Sequence, residues 1–270
     1  MNQEKKVGDL KMRRKIVASS WKMHINSIVD GKNLAKDICK EVGNIEEIEM
    51  FILPTFPMIQ TVAEEFKGSK IKYGAQNICF AEKGAYTGEV PANVLKEIGC
   101  SYIELGHAER KAMFSENDIL VNRKVKICEK YDLIPVVCIG ETQEDLDNNI
   151  GKQTLKAQVQ WALEGLNKNF RKKVILAYEP VWAIGKAKAA DPKYVNETHK
   201  YIRQVIKDEY DEEISSAIRV IYGGSVSPET ATELVKYEDI DGLFIGRFGL
   251  KGENFKAMVQ SALNVVEKSF

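Results

Sequence analysis

The sequence predicts a single closed barrel of eight parallel β-strands surrounded by helices, the (β/α)8 fold. Eight short apolar runs alternate with longer amphipathic segments, a pattern that indicates a parallel sheet covered by helices. The chain has 270 residues, a length at which eight such units form one barrel. No tract rich in Gly or Ser divides the sequence. We therefore assign residues 13–270 to one domain and residues 1–12 to an N-terminal extension that is expected to be poorly ordered.

The predicted strands are short and nearly continuous in apolar residues, as expected for strands that are buried on both faces. In chain order they are Lys15–Ser20, Glu49–Leu53, Ile71–Ala75, Tyr102–Leu105, Ile134–Ile139, Val174–Tyr178, Arg219–Tyr222 and Gly242–Ile245. An open doubly wound sheet is the alternative, but no Gly-x-Gly-x-x-Gly sequence follows the first strand. The closed barrel is therefore the preferred arrangement.

The segments between the strands show the spacing of amphipathic helices. In Asp30–Val42, the apolar residues Leu34 and Ile38 recur four residues apart and form one stripe with Val42. Ser227 is expected to cap a helix, because a proline and a first-turn acid follow it. The other predicted helices include Ala108–Phe114, Asn117–Tyr131, Gln143–Leu166, Lys193–Tyr210, Ser227–Tyr237 and Asn254–Val266.

The composition excludes several classes of function. Lys+Arg and Asp+Glu both number 39, so no overall basic field attracts nucleic acid. No apolar run reaches the roughly 18 residues of a membrane span, and the charged N-terminus has no signal-peptide core. The five cysteines are odd in number and contain no Cys-x-x-Cys pair. We therefore expect a cytoplasmic protein without nucleic-acid, membrane or metal partners.

Polar residues that directly follow the predicted strands indicate the site. Active sites of (β/α)8 barrels lie at the C-terminal ends of the strands. Lys22, His107 and Glu179 follow the first, fourth and sixth strands. Two glycine-containing turns, Gly223–Ser225 and Gly246-Arg247, follow the last two strands and can hold an anion on main-chain N–H groups. A base, an acid and a cation beside such turns indicate proton transfer on a phosphorylated carbonyl compound.

Seven segments resemble those of the triose-phosphate isomerase family in order and spacing, over roughly residues 13–268. They are SWKM (Ser20–Met23), GAQN…GAYTGE (Gly74–Glu89), ELGHAER (Glu104–Arg110), CIGE (Cys138–Glu141), AYEPVWAIG (Ala177–Gly185), YGGSV (Tyr222–Val226) and DGLFIG (Asp241–Gly246). The resemblance implies a cofactor-independent isomerase that interconverts dihydroxyacetone phosphate and glyceraldehyde 3-phosphate through an enediolate.

The resemblance also implies the roles of the polar residues. Glu179 corresponds to the base that removes a carbon-bound proton, and His107 to the electrophile that exchanges protons with the substrate oxygens. Lys22 would stabilise the negative charge of the enediolate. Glu109 has two alternative roles, either holding Lys22 in place or serving only as an acid at a helix N-terminus.

A substrate pocket, a lid and a dimer follow from the same resemblance. The expected substrate and phosphate contacts are Ser20, Gly185, Ser225, Gly246 and Arg247. The expected lid lies within Pro180–Ala190 and includes Pro180, Val181, Trp182, Ala183, Ile184 and Ala187. The loop Asn77–Glu89, which contains Thr87, is expected to dock into the partner of a homodimer.

Several residues depart from the family pattern and leave the length of the substrate open. Ser20 stands where Asn is usual, Arg247 where a second glycine is usual, and Ala108 where Ser is usual. Ser20, Phe244 and Gly246-Arg247 also resemble the isomerases of L-erythrulose 1-phosphate. The alternative function is therefore the conversion of this four-carbon ketose phosphate to D-erythrulose 4-phosphate. A third hypothesis is a non-catalytic protein that binds phosphorylated sugars.

Overall fold

A computed structural model describes residues 13–183 and 190–267 and confirms the predicted closed (β/α)8 barrel. Each strand pairs in parallel with its neighbour in sequence, and the first strand pairs with the last. The strands are β1 (Ile16–Ser20), β2 (Glu49–Leu53), β3 (Lys72–Ala75), β4 (Tyr102–Leu105), β5 (Ile134–Ile139), β6 (Ile175–Tyr178), β7 (Arg219–Tyr222) and β8 (Gly242–Ile245). The predicted N-terminal extension, residues 1–12, lies outside the described residues.

Helices pack around the strands, and no described helix is long and apolar enough to cross a membrane. They are α1 (Ile28–Val42), α2 (Ile59–Glu65), α3 (Ala92–Ile98), α4 (Ala108–Met113), α5 (Asp118–Lys130), α6 (Gln143–Asp147), α7 (Gly151–Leu163), α8 (Lys168–Arg171), α9 (Pro192–Glu209), α10 (Glu212–Ala217), α11 (Pro228–Val235) and α12 (Gly252–Glu267). Short 3-10 turns occur at Phe56–Met58, Val181–Ala183 and Arg247–Leu250.

The predicted helix Gln143–Leu166 is wrong as a single element, because the structure divides it into α6 and α7. Asn149 between them has φ of 57°, which no α-helix accommodates. The cap of α11 agrees with the sequence analysis, since the Ser227 side chain accepts the Thr230 main-chain N–H. Helix boundaries thus depend on backbone geometry that apolar spacing does not report.

The apolar side chains form two layers, one inside the barrel and one between strands and helices. Along β1, Ile16 and Ala18 face the interior layer, whereas Val17 packs in the outer layer. This alternation follows from the two-residue period of a strand. Inside the barrel, the rings of Phe51 and Tyr102 stack with centroids 3.9 Å apart. The interior is therefore a packed core, and the site lies at its end.

Buried and half-buried charged side chains connect neighbouring segments at the N-terminal end of the barrel. Asp241 accepts the Arg13 Nε–H at 2.6 Å and the Val220 main-chain N–H at 2.7 Å, and it also pairs with Arg203. Glu49 pairs with Arg219 in the same region of the strand starts. Each carboxylate has charged partners within the fold. We therefore interpret these residues as structural, because they hold the starts of the strands together.

Candidate active site

A cavity of about 340 Å³ opens at the C-terminal end of the strands. It brings together most of the polar residues that the sequence analysis selected, together with several that it did not. The lining residues are Ser20, Lys22, His24, Glu104, His107, Glu109, Glu179, Gly223, Gly224, Ser225, Val226, Phe244, Ile245, Gly246, Arg247 and Phe248.

Lys22 enters this cavity from the end of β1 in an unusual backbone conformation. Its φ of 49° lies in the left-handed region, which a non-glycine residue rarely adopts. The side-chain amide of Gln76 donates to the Lys22 carbonyl at 3.0 Å and to the Leu53 carbonyl at 2.9 Å. Lys22 Nζ donates to Glu109 Oε1 at 2.6 Å. Gln76 therefore fixes the main chain of Lys22, and Glu109 contacts its ammonium group.

His107 is held with one ring nitrogen facing Glu179. The ring caps α4, because its Nδ1 accepts the Glu109 main-chain N–H at 3.0 Å. A nitrogen that accepts carries no proton, so the proton of the neutral ring lies on Nε2. Burial and the positive charge of Lys22 lower the pKa of His107 to about 4. The imidazole is therefore neutral near pH 7 and presents Nε2–H as a donor.

Glu179 directly follows β6 and is 3% exposed. Its Oε2 lies 3.4 Å from His107 Nε2 and has no hydrogen bond from any residue in 13–183 or 190–267. Because the imidazole is neutral, this contact is not an ion pair. Burial and then the charge of Glu104 raise the pKa of Glu179 to about 8. A desolvated carboxylate with a free oxygen is suited to accept a proton.

Gly223 makes room for the Glu179 side chain. A Cβ atom at this position would lie 2.6 Å from Glu179 Cγ, closer than van der Waals contact allows. A larger residue at this position, directly after β7, would force the Glu179 side chain to shift. The glycine is thus required by the close approach of the Glu179 side chain.

Ser20 and Glu104 form a second polar pair at the floor of the cavity. Ser20 Oγ donates to Glu104 Oε2 at 2.8 Å, and both side chains are buried. Burial raises the pKa of Glu104 to about 7, although the hydrogen bond from Ser20 opposes the shift. From the sequence, Ser20 is expected to contact substrate, whereas no role is predicted for Glu104. A glutamate inside a four-residue strand is the signal that could have indicated it.

The expected phosphate side of the cavity is formed by the turns after β7 and β8. Ser225, Gly246 and Arg247 all line it. Arg247 is exposed and has no hydrogen-bond or ion-pair partner within the described ranges 13–183 and 190–267. It is absent from the residues with positive φ, so an arginine is accommodated there without backbone strain. Phe248, which sequence reasoning missed, adds a 42% exposed ring beside it.

Other predicted residues lie away from the cavity or outside the description. Gly185, Ile184 and Ala187 fall among residues 184–189, which the structure does not describe. Of the predicted lid, Pro180 is buried and follows Glu179, and Val181, Trp182 and Ala183 form a 3-10 turn. Thr87 is exposed in the loop between β3 and α3 and does not line the cavity. The lid and the dimer loop stay predictions.

Comparison with known proteins agrees with this fold. The family described as "Triosephosphate isomerase" matches residues 15–262. The chain belongs to the triosephosphate isomerase family. It is 42% identical over 248 residues to the triosephosphate isomerase of Clostridium botulinum, which covers 92% of this chain and 99% of that protein. The proteins of that name from Dictyoglomus thermophilum and Chloroherpeton thalassium are 39% and 40% identical, over 93% of this chain and 100% of theirs.

Membership of the triosephosphate isomerase family bears on the alternatives. The relatives above are all named triosephosphate isomerase, after a three-carbon substrate. The alternative of a four-carbon substrate, based on Ser20, Phe244 and Arg247, gains no support from them. The structure gives Ser20 a different explanation, because its hydroxyl is bonded to Glu104. Within the described residues, no group of three or more His, Cys, Asp or Glu side chains could hold a metal ion.

Proposed function

We propose that the protein interconverts dihydroxyacetone phosphate and D-glyceraldehyde 3-phosphate. The observation that carries this proposal is the meeting of Glu179 Oε2 and His107 Nε2, 3.4 Å apart, in one cavity with Lys22. A carboxylate with a free oxygen and a neutral imidazole donor can act on adjacent atoms of one small substrate. Family membership supports the same reaction.

The proposed reaction is a proton transfer that leaves the substrate with the same atoms. Glu179 takes a proton from the carbon beside the carbonyl, and the C–H electron pair forms the double bond of an enediolate. The carbonyl electrons move to oxygen, where Nε2–H of His107 and the Lys22 ammonium stabilise the charge. Protonation of the neighbouring carbon by Glu179, with proton exchange between the oxygens at His107, gives the product. No electron acceptor is consumed.

Turnover of the triose phosphate by the purified protein tests this proposal. D-Glyceraldehyde 3-phosphate is supplied, and dihydroxyacetone phosphate is measured by NADH oxidation with glycerol-3-phosphate dehydrogenase. L-Erythrulose 1-phosphate, assayed separately, serves as the four-carbon comparison. Efficient turnover of the three-carbon substrate is expected. Absence of this turnover would contradict the proposal. Binding of the triose phosphate without turnover would instead favour a non-catalytic phosphate-sugar binding protein.

Glu104→Gln is expected to move the acidic limb of the kcat/KM profile to lower pH. The base acts when ionised, and its active fraction falls about tenfold per pH unit below its pKa. The charge of Glu104 helps to raise the pKa of Glu179 to about 8, so removing that charge lowers it toward the ordinary 4.5. Profiles of the parent, Glu104→Gln and the exposed control Glu229→Gln measure the shift. An unmoved limb in Glu104→Gln would refute this coupling.

Arg247→Gly is expected to raise KM about five- to tenfold and to change kcat little, because phosphate binding is remote from the reacting carbons. Arg247 lines the cavity and has no partner within the described ranges, so we propose that its guanidinium pairs with the substrate dianion. The rise in KM should shrink as salt is added. Lys251→Ala, an exposed cation outside the cavity, is the control. An equal KM for parent and Arg247→Gly excludes the contact.

We also propose a homodimer in which the loop around Thr87 docks on the partner. The loop is closed by a hydrogen bond from the Cys79 N–H to the Val90 carbonyl at 2.9 Å, and Thr87 at its outer part is exposed. Large exposed apolar side chains that a partner could cover include Met23, Tyr86, Met113 and Phe114. Sedimentation velocity at micromolar concentration is expected to give a dimer, and a monomer would contradict the proposal.

A cytosolic location is the remaining proposal. The described cysteines are all free, and four of the five are buried. Free thiols of this kind are typical of a reducing compartment. Cell fractionation with an antibody against the protein is expected to recover it with cytosolic markers, and recovery with a secreted or membrane fraction would overturn this location.

A further inference from the structure

Three side chains donate hydrogen bonds to a single oxygen of Glu141, just beyond β5. Glu141 Oε1 accepts from the Tyr178 hydroxyl at 2.9 Å, the Trp182 indole N–H at 2.9 Å and the Tyr194 hydroxyl at 3.0 Å. Glu141 is 1% exposed, and Tyr178 is fully buried. We call these four residues the Glu141 cluster. It lies outside the substrate cavity, because none of its members lines that cavity.

The Glu141 cluster holds the chain on both sides of Glu179. Tyr178 directly precedes Glu179, and Trp182 follows three residues later. The Val181 N–H donates to the Glu141 carbonyl at 3.0 Å, which adds a main-chain link to the same residue. The position of the Glu179 carboxylate therefore depends on how firmly Tyr178 and Trp182 are fixed on Glu141.

Tyr194 is the member of this cluster that comes from a different element. It lies in the first turn of α9, where Asp191 caps the helix and accepts the Tyr194 N–H at 3.1 Å. Its ring meets the Trp182 ring edge-on, with centroids 5.8 Å apart and planes at 70°. This is a favourable geometry for two aromatic rings. Tyr194 thus contacts Trp182 through its ring and Glu141 through its hydroxyl.

We propose that Tyr194 is a positioning residue for Glu179, acting through Trp182 and Glu141 without touching the substrate. This inference rests on the proposed function, in which Glu179 is the base. Burial and the negative charge of Glu141 raise the pKa of Tyr194, so its hydroxyl stays protonated and remains a donor. A base must be held closely to the reacting carbon, since a displacement of about 1 Å can cost about 100-fold in rate.

Tyr194 borders a second cavity, of about 720 Å³, so its side chain can be shortened without creating a closed void. Tyr194 and Glu141 form part of its wall together with Lys152 and Tyr201. A truncated side chain at position 194 would leave a space that joins this open cavity and fills with water. The loss of packing is therefore smaller than in a closed core, and we expect Tyr194→Ala to fold.

Tyr201→Phe is a matched control for the hydroxyl of Tyr194. Tyr201 lies two turns further along α9 and lines the same cavity. Its hydroxyl donates to the Lys152 carbonyl at 2.9 Å and takes no part in the Glu141 cluster. Removing either hydroxyl keeps the aromatic ring on the same helix and costs one hydrogen bond, to Glu141 in Tyr194→Phe and to the Lys152 carbonyl in Tyr201→Phe.

Steady-state kinetics of the full-length variants provide the first test. Tyr194→Phe is expected to lower kcat about threefold and Tyr194→Ala about tenfold, each with KM within about twofold of the parent. Tyr201→Phe is expected to keep the kcat of the parent. Tyr194→Ala with an unchanged kcat, or a kcat loss equal in Tyr194→Phe and Tyr201→Phe, would overturn the proposal. So would a loss that appears only in KM.

Trp182 fluorescence provides a second readout that does not need turnover. The chain contains three tryptophans, and the exposed Trp161 is first replaced by Phe, which leaves Trp182 and the fully buried Trp21. Acrylamide quenching is expected to increase in Tyr194→Ala and to stay unchanged in Tyr201→Phe. Unchanged quenching in Tyr194→Ala would refute the contact with Trp182. If the parent turns over no triose phosphate while quenching behaves as expected, the proposed function fails and the contact stands.

Discussion

Glu179→Gln is expected to lower kcat about 1,000-fold with little change in KM, the range found for removing a general base. Glutamine keeps the size of the side chain and can still accept a hydrogen bond, but it cannot take the substrate proton. The carboxylate has one oxygen free of donors among the described residues and the other contacting Cys138 Sγ at 3.5 Å. Steady-state assays of the parent, Glu179→Gln and the exposed control Glu229→Gln measure the effect. A kcat within tenfold of the parent would remove Glu179 from the role of base.

At alkaline pH, the Glu179→Gln variant is expected to unfold at a higher temperature than the parent protein. The pKa of Glu179 is raised from 4.5 to about 8 by burial, so the unfolded chain loses this proton more readily than the folded one. Stability contributed by the protonated group is present below pH 4.5 and is lost as the pH rises through about 8. The Tm difference between Glu179→Gln and the parent should therefore be larger at pH 9 than at pH 5. An equal difference at both pH values would show that ionisation of Glu179 does not set it.

The strands could be predicted to within one residue at each end, and the reason is physical. β1 to β8 are short and mostly buried on both faces, so most of them appear in the sequence as apolar runs bounded by polar residues. The break between α6 and α7 could not be predicted in this way. It depends on the positive φ of Asn149, which the spacing of apolar residues does not report.

The place where the candidate site residues meet could be predicted from polar residues that follow the strands. Lys22, His107 and Glu179 follow β1, β4 and β6, and the barrel brings them to one cavity. Contacts between distant segments gave no signal of this kind. Glu141 and Tyr194 are 53 positions apart in sequence, and their hydrogen bond forms only when α9 packs beside the end of β5.

Ser20 shows how a residue can be placed correctly and interpreted incompletely. Ser20 is predicted to contact substrate, and its side chain lines the cavity. Its hydroxyl is already used by Glu104, at 2.8 Å, so a shorter side chain at this position does not simply enlarge the space for substrate. A glutamate within β4 is visible in the sequence, but its pairing with Ser20 could be recognised only once the barrel brought β1 and β4 to the same cavity.

Lys22→Met is expected to lower kcat/KM about 100- to 1,000-fold, the effect of removing one preorganised charge from a developing oxyanion. Methionine keeps an unbranched chain of similar length but carries no charge. The Lys22 ammonium also lowers the pKa values of His107 and Glu179, so both pKa values should rise in Lys22→Met. A higher Glu179 pKa moves the acidic limb of the kcat/KM profile to higher pH, opposite to the shift expected for Glu104→Gln.

Glu109→Gln separates the charge of Lys22 from the ion pair that holds it. Lys22 Nζ lies 2.6 Å from Glu109 Oε1, and the amide oxygen of glutamine can accept the same hydrogen bond. If Lys22 acts mainly through its charge, Glu109→Gln should retain more than about a tenth of the parent kcat/KM while Lys22→Met loses at least about 100-fold. Equal losses in the two variants would mean that the ion pair itself is required. A Lys22→Met enzyme with full activity would remove the lysine from the proposed stabilisation of the enediolate, and its left-handed backbone, fixed by Gln76, would then have no catalytic explanation.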